Sequence, residues 1–141
     1  DLAASVRIGE REIEREAEET KENVRRRVEL FARTQGALDV RGYDVVITDD
    51  GLAAGYTMFA AIEAIRKLAP NRIIVAVPTG PDTTVAEMAD RVDIVVCPNV
   101  REGHFFAVAN AYQRWRDLSE DEVMQLLRQA AEAGILTAEA M

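Results

Sequence analysis

The chain predicts an α/β fold built on a parallel sheet, and three observations carry that expectation. Short apolar runs rich in β-branched residues recur at Asp44–Thr48, Arg72–Val77 and Val92–Cys97. Segments with helical spacing separate them, and Gly and Pro punctuate the joins. Strands that are apolar throughout and alternate with helices belong to parallel sheets covered on both faces and joined by right-handed crossovers.

The elements follow in order. From about Ile8 to Phe31 the chain is dominated by Glu and Arg, with Ile13, Ala17, Val24, Val28 and Phe31 at or near helical spacing, which predicts a charged amphipathic helix. Gly36 to Gly42 reads as a connection into the first strand, Asp44–Thr48. Thr57 to Ala69 carries Met58, Ile62, Ile65 and Leu68 on one helical face and stops before Pro70. The second strand is closed by Pro78, Gly80 and Pro81. A short helix over Thr83–Arg91 follows, with Asp82 or Thr83 expected as its cap. After the third strand comes a Pro98–Gly103 loop, and the aromatic spacing from His104 to Trp115 predicts a packed helix. Ser119 and Glu122 have capping-box spacing for a last helix through about Ala133, stopped by Gly134.

Composition narrows the function. The 141 residues suit one ordinary core, divided here into a charged helical segment, 1–35, and an α/β domain, 36–141. A formal net charge of −8 disfavours nucleic acid, and the Arg25–Arg27 cluster sits among glutamates as a solvated helix face. No apolar run has the length of a membrane span or signal peptide, so no membrane partner is expected and the cytoplasm is the expected compartment. Cys97, the one cysteine, ends an apolar run and reads as a buried small hydrophobe.

The chemistry concentrates in Val45–Thr57. Four strand-forming residues run into Asp49 and Asp50, then into the small-residue loop Gly51, Leu52, Ala53, Ala54, Gly55, and then into a helix at Tyr56 and Thr57. The first N–H groups of a helix lack intrahelical acceptors and lie at the positive end of its dipole, so such a loop can hold a phosphate. The Walker A lysine and the three-glycine dinucleotide spacing are both absent. Two adjacent carboxylates repel each other, an arrangement suited to hydroxyl donors, water and a divalent cation.

This pattern resembles the phosphoribosyl pyrophosphate motif of the type I phosphoribosyltransferases. The later strands and the tail from Phe105-Phe106-Ala107-Val108 through Trp115 to Ser119–Val123 resemble an uncharacterised group of that family. The resemblance implies the Rossmann-like parallel sheet of that fold, here without its N-terminal strands, which would leave an edge of the Asp44–Thr48 strand unpaired. It also implies transfer of phosphoribosyl from phosphoribosyl pyrophosphate to a purine or pyrimidine base. Asp49 and Asp50 would face the ribose hydroxyls and Mg2+, and residues 51–57 would hold the phosphate of phosphoribosyl pyrophosphate or ribose 5-phosphate. Ala54 stands where the family usually has threonine, and Tyr56 where it often has glycine. The loss of one hydroxyl at Ala54 weakens a charge-assisted contact by about 1–2 kcal/mol.

His104 and Arg101 could meet substrate, but surface roles suit them better. Phe105, Phe106, Tyr112 and Trp115 read as core or interface residues. A non-catalytic module sensing ribose phosphates is the alternative, and the charged N-terminal helix as a dimerising element is a third. A homodimer is the expected assembly.

Overall fold

The computed structural model describes residues 9–32, 39–103 and 106–135. They fall into two compact units, residues 39–117 and residues 1–38 with 118–141. No helix among the described residues is long and apolar enough to cross a membrane. His104 and Phe105 lie outside the described residues, as do the expected helix start at Ile8 and the first three residues, 36–38, of the connection from Gly36.

Residues 39–117 contain β1 (Asp44–Thr48), α2 (Tyr56–Arg66), β2 (Arg72–Ala76), β3 (Thr79–Pro81), α3 (Asp82–Ala89), β4 (Ile94–Val96) and β5 (Asn99–Arg101), followed by a 3-10 turn at Val108–Ala111. The other unit holds α1 (Glu10–Ala32) and α4 (Glu120–Glu132). The main sheet has the order β1-β2-β4 and is parallel throughout, with Asp44 opposite Arg72 and Ile74 opposite Ile94. As expected, β1 is an edge strand among the described residues.

Among the described residues five strands replace the three expected, because the two later runs resume after an interruption. β3 pairs with β5 in parallel, Thr79 opposite Asn99. Pro78 and Pro98 stand immediately before these partners, and each lacks the N–H that would continue a ladder. Val77 N–H still reaches Val96 O (3.0 Å) and Asn99 N–H reaches Pro78 O (3.2 Å). The prolines therefore divide one pair of strands into two short sheets.

The period of two decides what is buried. Ile73, Val75 and Val77 meet Met58 and Ile62 of α2 and Met88 of α3 in the core, with Ile47 and Val95 packed against them. On the opposite face Val46 and Val96 remain 54% and 50% exposed, so the expectation of helices on both faces is not met within this unit. Two right-handed crossovers that step in the same direction across the sheet put both helices on one side.

Smaller differences have local causes. α3 starts directly after Pro81, and Asp82 accepts the Thr83 N–H (2.8 Å) from inside the first turn instead of capping from outside it. The helix expected from His104 to Trp115 is reduced, among the described residues, to the turn at Val108–Ala111. The capping box of α4 is present: Ser119 Oγ accepts from Glu122 N–H (3.3 Å), and Glu122 Oε2 accepts from Ser119 N–H (2.9 Å). Gly134, at φ +68°, ends the helix, with N–H bonds from Gly134 to Ala131 O and from Ile135 to Ala130 O. In this unit Arg26 forms a bidentate pair with Glu120 (2.8 Å for each bond). Ile13, Val24 and Val28 of α1 are exposed.

Candidate active site at the end of strand β1

β1 ends at Thr48, and the next two residues are Asp49 and Asp50. The Asp49 carboxylate accepts the Asp50 N–H at 3.0 Å, which folds the acidic pair into a tight turn. The turn is tied down beyond its own sequence. Leu52 N–H donates to Thr79 O (2.9 Å), which fastens the loop to β3, while the Leu52 side chain is only 2% exposed. A Cβ on Gly51 would lie 2.7 Å from Val108 Cγ1 and 3.0 Å from Thr79 Cγ2, so the close approach requires glycine. The Thr84 hydroxyl donates to Ala53 O at 2.9 Å from the first turns of α3.

Gly55 turns the loop into α2. It adopts φ +78°, ψ −3°, in the left-handed region that glycine enters without steric cost. Among the described residues no side chain caps the N-terminus of α2, and its first turn holds no acidic residue. These first N–H groups are therefore a place for an anion, which the unshielded dipole favours.

Asp49, Asp50 and residues 51–57 are brought together around one cavity of about 410 Å³, completed by Met58, Val108 and Trp115. A neighbouring cavity of about 420 Å³ shares Ala53 and Ala54 and continues to Pro81–Thr83, Gly103 and Phe106. The small side chains at 53 and 54 thus separate two spaces of comparable size. Tyr56 is 79% exposed, so its side chain stands out from the loop.

The Asp50 carboxyl is held above the ordinary carboxylate value, first by partial burial and next by repulsion from Asp49, with Asp117 adding to it and the backbone N–H groups of Asp50 and Gly51 opposing it. A cation or a set of hydroxyl donors would relieve that repulsion. No group of three or more His, Cys, Asp or Glu side chains able to hold a metal occurs among the described residues. The donors present are a pair of hard oxygen ligands, which fits magnesium bound partly by water and substrate oxygens and does not amount to an all-protein cage.

Other candidates stay apart from this chemistry. Arg101 is exposed. Cys97 is half-buried and burial pushes its thiol up, the opposite of an activated nucleophile. Thr84, Val108, Tyr112 and Trp115 reach the site without a local signal. Tyr112 and Trp115 are expected from their spacing in a core or interface, yet the Tyr112 hydroxyl bonds to Asp50 O and Trp115 lines the acidic cavity. Phe106 likewise faces the neighbouring cavity.

Known proteins resemble this chain in sequence and in fold. A family model described as "Phosphoribosyl transferase domain" matches residues 6–113. Proteins named "Putative phosphoribosyl transferase" from the Mycobacterium tuberculosis strains CDC 1551 and H37Rv are each 39% identical over 121 residues, spanning 83% of this chain and 27% of their own length. The crystal structure of TT1426 from Thermus thermophilus superposes with a TM-score of 0.72 at 30% identity, covering 88% of this chain and 59% of that one. The chain thus spans about a quarter of the curated relatives it matches. With a matching family model over most of its length and the α/β fold that accompanies it, the chain belongs to the phosphoribosyl transferase domain family.

Proposed function

We propose that this domain binds phosphoribosyl pyrophosphate with Mg2+ and transfers the phosphoribosyl group to a purine or pyrimidine base. The observation that carries the reading is the convergence of an acidic pair and an uncapped helix N-terminus on one cavity. Backbone N–H groups at the start of α2 take the 5-phosphate, and Asp49 and Asp50 accept hydrogen bonds from the ribose hydroxyls. The sugar is then gripped at both ends. The neighbouring cavity beyond Ala53 and Ala54 is the space for the base.

The reaction breaks the bond from the anomeric carbon to pyrophosphate, whose oxygen keeps the electron pair. A base nitrogen supplies the pair for the new C–N bond, and its proton passes to solvent. Positive charge develops on the ribose ring between the two events, and the neighbouring carboxylates stabilise it. Asp49 and Asp50 would hold magnesium through water and ribose hydroxyls, and the ion would supply charge neutralisation for the departing pyrophosphate. No protein nucleophile is required.

Titration calorimetry with phosphoribosyl pyrophosphate tests the site. Wild type should bind in a magnesium-dependent manner and the Asp49→Asn/Asp50→Asn variant should lose that dependence, whereas equal heats would overturn the assignment. Ala54, in place of a hydroxyl-bearing residue, favours a second reading, a non-catalytic sensor of ribose phosphates. Binding without product from any member of a panel of bases would select it.

A further inference from the structure

The segment from Val108 to Trp115 meets the acidic turn at three points. Val108 sits directly against Gly51, at the distance where a Cβ could not enter. The Tyr112 hydroxyl donates a 2.6 Å hydrogen bond to the carbonyl of Asp50, 62 residues away in sequence. Trp115 packs on Tyr112, with ring centroids 5.2 Å apart and planes inclined by 58°, and lines the cavity that Asp49 and Asp50 share with the loop. The indole is 42% exposed, an apolar face presented at a polar site.

We propose that Tyr112 is the positioning residue of the acidic turn and that Trp115 is a ligand-contacting wall of the same site. The inference rests on the ribose-phosphate reading and deepens it. The peptide plane between Asp50 and Gly51 sets where the Asp50 side chain and the Gly51 N–H point, and the hydroxyl on the Asp50 carbonyl holds that plane. Two adjacent carboxylates tend to splay apart, so bracing the turn in the ligand-free protein lowers the ordering cost that binding would otherwise carry. The phosphate end of the cavity is built differently, from residues 52–57 and the α2 N-terminus, and among the described residues Tyr112 makes no hydrogen bond there. The Tyr112 brace therefore acts on the sugar diol and not on the phosphate. Trp115 adds a rigid apolar surface on which the C–H face of the ribose rests.

The full chain with Tyr112→Phe tests this, because the ring and its packing on Trp115 are kept and only the donor is lost. Two probes are titrated calorimetrically in magnesium buffer: ribose 5-phosphate, which reads the whole site, and inorganic phosphate, which reads the loop alone. Tyr112→Phe should bind ribose 5-phosphate about 5- to 10-fold more weakly, the worth of one hydrogen bond, with phosphate affinity unchanged. Trp115 is the only tryptophan in the sequence, so its fluorescence should change as ribose 5-phosphate saturates the wild type. Unchanged ribose 5-phosphate affinity in Tyr112→Phe would overturn the positioning role and leave the ribose-phosphate reading standing. An equal loss for both probes with a lowered melting temperature would overturn it too, as a structural effect. Tryptophan emission indifferent to saturating ribose 5-phosphate would overturn the contact at Trp115. A wild type that binds neither probe would overturn the site reading and this inference together.

Discussion

Replacing Gly55 by alanine should destabilise the protein by two separable effects that meet at one atom. The backbone at φ +78°, ψ −3° is left-handed, which costs a non-glycine residue roughly 1–2 kcal/mol. The new Cβ would also lie 2.8 Å from Thr84 Cγ2 and 3.1 to 3.2 Å from the Phe59 ring, an overpacking of roughly 1–3 kcal/mol. Thr84 is buried, and swinging its methyl aside would break the hydroxyl bond to Ala53 O, so the neighbour cannot simply give way. Together the two effects amount to roughly 2–5 kcal/mol, a large share of the 5–15 kcal/mol typical of a domain. Urea denaturation should show a lowered midpoint with little change in slope. Thr84→Ser in the Gly55→Ala background removes the nearest methyl and keeps the hydroxyl. It should restore about 1 kcal/mol, although the same change in wild type leaves a small void and destabilises. A Gly55→Ala protein within 0.5 kcal/mol (roughly the spread of neutral surface changes) of wild type would refute the reasoning. So would a Thr84→Ser effect that is the same in both backgrounds.

Two further predictions concern the loop itself. Burial and Asp49 raise the folded Asp50 carboxyl, so the folded state holds its proton more tightly than the unfolded chain; this contribution is favourable at low pH and is lost as pH rises from the unfolded value, about 3.9, through the folded one. Asp50→Asn should accordingly raise the melting temperature at neutral pH and converge on wild type towards pH 4, and a difference that does not vary with pH would count against the cause given. Ala54→Thr should tighten ribose 5-phosphate about 5-fold, the equivalent of one hydrogen bond of about 1 kcal/mol, without altering stability, because residue 54 is exposed at the cavities. Calorimetry giving equal or weaker affinity would show that the added hydroxyl does not meet the phosphate.

Much of this is legible in the sequence because the signals are local. The β-branched runs, the capping box at Ser119 and the glycine stop at 134 each depend on residues a few positions apart and are found near where their spacing places them, whereas the helix expected to reach Ala69 before Pro70 ends at Arg66. The failures come from reading punctuation and spacing without partners. Pro78 and Pro98 look like strand ends, yet each only removes one donor, and the chains pair again beyond them. The aromatic spacing from His104 to Trp115 suits a helix, but Val108, Tyr112 and Trp115 are drawn to the acidic turn instead, and the chain there makes only a 3-10 turn.

The amino-acid order alone determined the class of fold, the family resemblance and the run Asp49–Thr57, because periodicity, caps and a contiguous motif are written within short stretches of chain. Only the tertiary structure decided which sheet face the helices of this unit cover, that the turn needs Gly51 against Val108, and that Thr84, Tyr112 and Trp115 close on a loop distant from them in sequence. Those contacts arise from parallel crossovers that gather the C-terminal ends of separate strands at one edge, and no local pattern records which distant side chains will meet there.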